Sequence, residues 1–134
     1  MTEPRAPAPL KRDLFGAVWR RRASEHESEC VERDTTAAAW GCRWLAHRLA
    51  AREARALGTR ALEALRRAGQ VPRLLHWDGY RLRRTWLPGV PLHRAGGAGP
   101  EYFRDALRLL RRLHAAGIVH NDLAKEPNWL VTHD

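Results

Sequence analysis

Cysteine is scarce in this chain, because Cys30 and Cys42 are the only two thiols among its 134 residues. Two cysteines cannot build the disulfide framework that stabilises small secreted domains, so the reducing cytoplasm is the expected location. The two thiols and the histidines His26 and His47 make four candidate zinc ligands. Their spacing lacks the close pairs, such as CxxC, that are typical of structural zinc sites, and ordinary buried thiols are the simpler interpretation.

Long apolar runs are also lacking. The longest run, at residues 37–42, is far shorter than the roughly 20 residues that cross a bilayer. Residues 1–9 contain Glu3 and three prolines but no apolar segment, so they do not match a signal peptide and are expected to form a flexible leader. We therefore expect no stable membrane insertion.

Lysine is rare among the basic residues. Lys11 and Lys125 are the only lysines, although 24 basic residues against 15 acidic ones give a net charge of +9. Such a charge favours phosphate-bearing partners such as nucleotides, nucleic acids or anionic lipid. No nucleic-acid motif accompanies the arginine-rich stretch 43–67, and a solvated basic helix face is the alternative interpretation of it. With 44% hydrophobic residues, a chain of this length has the material for one folded domain.

The apolar pattern predicts two pairs of strands. One pair is expected on either side of a charged turn at residues 20–29. A second hairpin is predicted where Asp78 and Gly79 separate two segments rich in β-forming residues. Pro88 and Gly89 are expected to end this second pair of strands.

Helical periodicity predicts two further regions. The first runs from the capping residues 34–36 to about residue 67, with a break at Gly58. The tryptophans are expected in the core. The apolar side of this region is expected to consist of six residues: Trp40, Trp44, Leu45, Leu49, Ala56 and Leu57. The second helix covers residues 101–116 and ends at Gly117.

Residues 113–131 contain the side chains best suited to catalysis and metal binding. The predicted helix leads through a glycine and two β-branched residues into a polar loop, and apolar residues follow that loop. Within it, Asp122 can accept a proton or orient a hydroxyl, and the amide oxygen of Asn128 can ligate a hard cation such as Mg²⁺. Lys125 can neutralise the charge that develops on a phosphate group. An acid, a cation and an amide in one short loop indicate phosphoryl transfer.

Residues 120–128 have the form HxDLxxxxN, and this loop resembles the catalytic loop of protein-kinase-like phosphotransferases. It is most similar to that of bacterial RIO-like serine/threonine kinases, which are related to the lipopolysaccharide-core sugar kinases. The resemblance implies that Asp122 is the catalytic aspartate, that Asn128 binds the metal and that His120 supports the loop. Asp122 and Asn128 are six positions apart, whereas the general kinase pattern places them five apart. Either the loop carries an extra residue or Asn128 is not the ligand.

Four earlier residues resemble the nucleotide-binding part of the same family. Gly16 and Val18 match the end of a glycine-rich loop whose earlier glycines are missing. Arg33 stands where the kinase strand carries its phosphate-binding lysine. Glu53, twenty residues later on the predicted helix, stands where the glutamate partner of that lysine is expected. Each of these residues has an alternative interpretation. Gly16 could be a plain turn glycine, Arg33 a surface charge, and Glu53 a member of an ordinary ion pair within its helix.

The resemblance covers roughly residues 10–131 and implies an α+β, protein-kinase-like fold. Residues 10–88, after the leader 1–9, would form a small lobe with an antiparallel sheet and one or two helices. Residues 89–134 would form the hinge, the first helix of the large lobe and the catalytic loop. Because no Asp-Phe-Gly motif follows this loop before Asp134, we expect the large lobe to be incomplete.

The expected function is that of an ATP- and Mg²⁺-dependent serine/threonine kinase with a protein hydroxyl as its acceptor. Two alternatives stay open: a small-molecule kinase that acts on a sugar or a lipopolysaccharide core, and a catalytically inactive pseudokinase or binding module. A basic nucleic-acid-binding domain is a further alternative that lacks a supporting motif.

Overall fold

The computed structural model describes residues 9–119 and 129–132. These residues form seven strands: β1 (Lys11–Asp13), β2 (Gly16–Arg21), β3 (Cys30–Asp34), β4 (Leu74–Trp77), β5 (Arg81–Thr85), β6 (Val90–Pro91) and β7 (Leu130–Val131). They also form three α-helices: α1 (Arg43–Gly58), α2 (Glu63–Arg67) and α3 (Pro100–Ala115). The chain is therefore mixed α+β, as its sequence predicts. Within the described ranges, no helix has the length and apolar character needed to cross a membrane.

The described residues form two compact units. The first unit runs to Arg60 and resumes over Val71–Trp86. The second unit comprises Ala61–Gln70 and the part of the chain that begins at Leu87.

A five-stranded antiparallel sheet forms most of the first unit, in the strand order β1-β2-β3-β5-β4. β2 and β3 pair on either side of residues 22–29, which confirms the first predicted hairpin. β4 and β5 pair on either side of residues 78–80, which confirms the second. Because β3 pairs with both β2 and β5, its side chains have neighbours on two strands.

Asp78 closes the hairpin between β4 and β5. Its Oδ1 accepts hydrogen bonds from the backbone N–H groups of Arg81 and Tyr80, each at 2.8 Å. These hydrogen bonds lower the pKa of Asp78 to about 2. Gly79 has a φ of 95°, a conformation that a residue with a Cβ rarely adopts. The Asp-Gly pair therefore supplies both the acceptor and the backbone freedom that this turn requires.

The regular helix α1 begins later than the sequence predicts. Asp34 caps only a short 3-10 helix, Thr35–Ala37, by accepting a hydrogen bond from a backbone N–H at 2.9 Å. A second 3-10 helix, Trp40–Cys42, leads into α1. The two residues between these short helices have extended ψ angles of 148° and 143°, so one continuous helix cannot form. α1 then ends at Gly58, the predicted break.

The buried face of α1 consists mainly of alanine. Its buried residues recur every three or four positions: Ala46, Ala50, Ala54 and Leu57. Small side chains let a helix lie close to a sheet, and no space is left there for large rings. Trp40 and Trp44 are accordingly 89% and 67% exposed, and Leu49 is exposed as well. The predicted apolar side is therefore confirmed at Leu57 and wrong at these three exposed residues.

The second unit contains α2, α3 and the antiparallel pair of β6 and β7. α2 carries the buried Leu65. α3 begins with a proline, whose missing N–H costs nothing at a first helical position. Its C-terminus is closed by Gly117, which has a φ of 76° and donates its N–H to the carbonyl of His114 at 2.9 Å. The predicted helix over residues 101–116 is confirmed to within one residue at each end.

Glu32 is a charged residue that the sheet buries, with a side chain only 6% exposed. Strand alternation places it on the face of β3 opposite to Arg33. Its carboxylate accepts hydrogen bonds from Nε of Arg83 at 2.6 Å and from Nη2 of Arg21 at 3.0 Å. Burial by itself raises the pKa of Glu32, but the hydrogen bonds from the two arginines outweigh it, so the pKa lies below its usual value of 4.5.

We expect Glu32→Gln to lower the free energy of unfolding at pH 7 by about 1–3 kcal/mol, because both arginines lose a charged acceptor. A carboxyl whose pKa is lowered by folding stabilises the protein above its unfolded pKa, and this stabilisation is lost as the pH falls through the folded value. The difference between variant and wild type should therefore shrink below pH 4.5, as measured by urea denaturation across that range.

Glu101→Gln is the matched control for this substitution. Glu101 is a largely exposed glutamate whose ion pair with Arg104 lies within α3, so its loss should change the free energy of unfolding by less than about 0.5 kcal/mol. Equal effects of the two substitutions would contradict the structural role assigned to Glu32.

Gly16 begins β2 where the backbone passes close to the end of β3. It has a φ of 120°, and a Cβ added to it would lie 2.3 Å from the carbonyl oxygen of Asp34. A side chain at this position would have to displace backbone rather than a flexible neighbour. The first unit therefore requires glycine here for packing as well as for conformation.

We expect Gly16→Ala to lower the free energy of unfolding by at least about 2 kcal/mol, through both the positive φ and the backbone contact. Gly41→Ala is the control, because no atom lies within 4 Å of the Cβ that it would add, and we expect a change below about 1 kcal/mol. Thermal and urea unfolding of the two variants test this difference. A Gly16→Ala protein as stable as Gly41→Ala would show that the close approach of β2 to β3 is not as described.

Candidate functional site

The residues proposed for the site from the sequence fall into two groups. The members of the predicted catalytic loop lie outside the described residues: His120, Asp122, Lys125 and Asn128. The residues proposed to bind nucleotide all lie in the first unit: Gly16, Val18, Arg33 and Glu53. The geometry of the candidate site is therefore that of the second group.

Arg33 and Glu53 form an ion pair. Arg33 lies on β3, and Glu53 lies on α1. Nη1 of the arginine lies 3.3 Å from Oε2 of the glutamate. The structure thus brings together the two residues that the family resemblance implies are partners. Whether they bind nucleotide stays a prediction.

The position of Glu53 follows from the alanine face of α1. Glu53 directly precedes the buried Ala54 and lies three residues after the buried Ala50, so it borders the face that packs on the sheet. Its side chain is 27% exposed. The carboxylate therefore reaches the sheet while it stays open in part to solvent.

Arg84 joins this pair, and the sequence analysis did not identify it. Its Nε lies 3.2 Å from Oε1 of Glu53, so each carboxylate oxygen contacts a different arginine. In the register of β3 with β5, Arg84 lies opposite Val31, and alternation then places Arg84 on the same face of the sheet as Arg33. The Asp-Gly turn predicts β5 itself, but only the pairing of β5 with the distant β3 brings Arg84 to Glu53.

The cluster of Arg33, Glu53 and Arg84 carries more positive than negative charge. Arginine stays protonated in proteins, so two cations meet a single carboxylate. Burial lowers the pKa of Arg84, the charge of Glu53 partly offsets this effect, and the nearby Arg33 lowers the pKa further. Planar guanidinium groups with a positive balance are suited to phosphate, which they bind through paired N–H donors. The chemistry of these side chains is therefore compatible with a phosphate-bearing ligand, and ATP as that ligand stays a prediction.

Val18 and Gly16 lie on β2, the strand that pairs with the strand of Arg33. Val18 lies directly opposite Arg33 in the register of β2 with β3, so its half-buried side chain lies on the same face of the sheet. The close approach of the backbone to Asp34 explains why glycine is required at position 16. A packing role for Gly16 is thus observed, and its nucleotide-binding role stays a prediction.

The chain segments on either side of the predicted catalytic loop are hydrogen-bonded within the second unit. Before the loop, the N–H of Ile118 donates to the carbonyl of Leu113 at 2.9 Å. After it, the carbonyl of Trp129 accepts from the N–H of Leu92 at 2.9 Å, and the carbonyl of Leu130 accepts from the hydroxyl of Tyr102 at 3.2 Å. β7 therefore has contacts with both the β6 segment and α3.

Metal ligands do not cluster in the described part of the chain. No group of three histidine, cysteine, aspartate or glutamate side chains comes together there. The four candidate zinc ligands all lie in this part and do not form such a group: His26, Cys30, Cys42 and His47. Cys30 is buried, and burial raises the pKa of its thiol, as expected for an ordinary core cysteine. The predicted Mg²⁺ ligand, Asn128, lies outside the described residues.

Comparisons with known proteins leave the family open. The chain matches no protein-family model, and neither the curated proteins nor the solved structures gave a match to it. The case for a function therefore depends on the chain's own residues and their geometry.

Proposed function

We propose that this chain is a phosphotransferase of the protein-kinase-like type, which uses ATP and Mg²⁺ to phosphorylate serine or threonine hydroxyls. The observation that carries the proposal is the ion pair between Arg33 on the central strand of an antiparallel sheet and Glu53 on α1. In kinase-like enzymes a basic residue on a strand holds the phosphates of the nucleotide, and a glutamate on a neighbouring helix positions that residue.

The first unit would bind the nucleotide. Arg33 would hold the phosphate groups, and its ion pair with Glu53 keeps the guanidinium in place while part of the side chain stays exposed to solvent. Val18, on the same face of the sheet, would give the nucleotide an apolar contact. The fold proposed for this chain is accordingly a small kinase-like lobe followed by the hinge, first helix and catalytic loop of a large lobe.

The sequence motif would supply the chemistry. Asp122 would accept the proton of the acceptor hydroxyl, Asn128 would hold the metal and Lys125 would neutralise charge that develops on the transferred group. When bound, ATP would supply the phosphoryl group and Mg²⁺ would supply positive charge to offset that of the phosphates. Most of the rate gain in such a reaction comes from positioning and electrostatic stabilisation.

A nucleotide-binding module without turnover is the second candidate. It is favoured by the arginine at position 33, where the kinase pattern has a lysine. An arginine can bind phosphate through paired donors, but it is a larger group than the lysine ammonium that this pattern requires. The two candidates agree on nucleotide binding and differ only in phosphate transfer.

We expect Asp122→Asn to reduce phosphate transfer by roughly 10²- to 10⁴-fold, because the general base is removed. Transfer is measured with radiolabelled ATP and Mg²⁺, in parallel on a library of serine and threonine peptides and on a panel of sugars. The rise in melting temperature that ATP and Mg²⁺ produce should be the same in this variant as in the wild type.

Asp105→Asn is the control for this variant, since Asp105 is an exposed aspartate on α3, and transfer should be unchanged. Transfer that survives Asp122→Asn would refute the catalytic role of the loop. Nucleotide binding by the wild type without transfer to any acceptor would favour the inactive module, and transfer to sugars alone would favour a small-molecule kinase.

A further inference from the structure

Two carboxylate residues of the first unit each contact two arginines, but the contacts differ. Glu32 accepts true hydrogen bonds, at 2.6 Å from Arg83 and at 3.0 Å from Arg21. Glu53 has longer ion-pair contacts, at 3.3 Å with Arg33 and at 3.2 Å with Arg84. The side chain of Glu32 is also nearly inaccessible, whereas that of Glu53 is 27% exposed. The Glu32 cluster is therefore closed, and the Glu53 cluster is open to an additional ligand.

The donors of Arg33 and Arg84 support the same conclusion. A guanidinium carries five N–H donors. Within residues 9–119 and 129–132, Glu53 is the only carboxylate at ion-pair distance from either arginine, and neither guanidinium donates a hydrogen bond to any other side chain. The side chains of Arg33 and Arg84 are 38% and 31% exposed, so solvent and ligands can reach them. Most of their donors are thus available to an acceptor from outside this part of the chain.

The charge of the cluster predicts which acceptor is suited to it. Two guanidinium groups on one carboxylate repel each other, and the repulsion by Arg33 and the burial of Arg84 both disfavour the charged form of Arg84. An anion with several oxygens relieves both effects, because it balances the excess charge and accepts hydrogen bonds from the remaining N–H groups. A polyphosphate has this chemistry and is long enough to contact two arginines that share a single carboxylate.

We propose that Arg84 is a second phosphate-binding residue, and that Arg33 and Arg84 together hold the polyphosphate chain of a nucleotide while Glu53 positions both guanidinium groups. The identification of the ligand as a nucleotide rests on the proposed function. The binding of polyphosphate by the two arginines does not, because it follows from the geometry of the cluster alone.

The test is calorimetric titration of the full chain with inorganic tripolyphosphate, which contains no adenine. We expect Arg84→Met and Arg33→Met each to weaken binding about tenfold, since each removes one charge-assisted contact. Arg81→Met is the matched control, because Arg81 lies on the same strand but on the opposite face, where its ion pair is with Asp34, and binding should be unchanged. Arg84→Gln, which keeps a polar group beside Glu53, should weaken binding as Arg84→Met does.

A measurement on the wild type keeps the test valid if a variant fails to fold. Phenylglyoxal modifies accessible arginines, and mass spectrometry then locates the modified residues. Tripolyphosphate should protect Arg33 and Arg84 at least fivefold and leave Arg81 unprotected. Equal modification of all three residues with and without tripolyphosphate would overturn the proposal, as would an Arg84→Met protein that binds tripolyphosphate as tightly as Arg81→Met does.

These outcomes separate the present proposal from the proposed function. Arginine-dependent binding of tripolyphosphate, with no preference for ATP and no phosphate transfer, would support the polyphosphate site and refute the kinase. Phosphate transfer with unchanged binding in Arg84→Met would support the kinase and refute the role of Arg84.

Discussion

β3 pairs with β2 on one side and with β5 on the other, and this double pairing decides which charged groups meet. Side chains alternate along a strand, so Arg33 faces α1 while Glu32 faces away from it. A shift of one residue would exchange the two and place Glu32 near the carboxylate of Glu53. The close approach of Gly16 to the backbone of Asp34 and the Asp-Gly turn before β5 both favour the observed register.

Each face of β3 contributes to a cluster of one glutamate and two arginines, and the two clusters have different roles. On one face, the carboxylate of Glu32 is buried and accepts hydrogen bonds from two arginines, which is the arrangement that makes a buried charge tolerable. On the other face, Glu53 divides its two oxygens between Arg33 and Arg84 and leaves donors on both arginines. The first cluster stabilises the sheet, and the second retains the positive charge that a phosphate ligand requires.

Local patterns in the sequence predicted the two hairpins and the C-terminal ends of α1 and α3, but not the start of α1. Asp78 and Gly79 predict a turn because one supplies an acceptor and the other a positive φ, and both act within a few residues. Gly117 likewise ends α3 for a local reason, because its positive φ closes the C-terminus of that helix. The core face of α1 was not predictable in this way, because hydrophobicity favours Trp44 whereas the distance between helix and sheet favours alanine.

The sequence by itself determined the α+β class, the hairpins, and the candidate pair of Arg33 and Glu53, since each depends on short-range patterns or on the order of motifs along the chain. Only the tertiary structure decided that Arg84 shares the carboxylate of Glu53. Arg84 lies on a strand that pairs with β3 across a long separation in sequence, and it follows Arg83, an identical residue that faces the other side. Which of two adjacent arginines reaches a site is a matter of strand register, and register is set by the packing of the whole sheet.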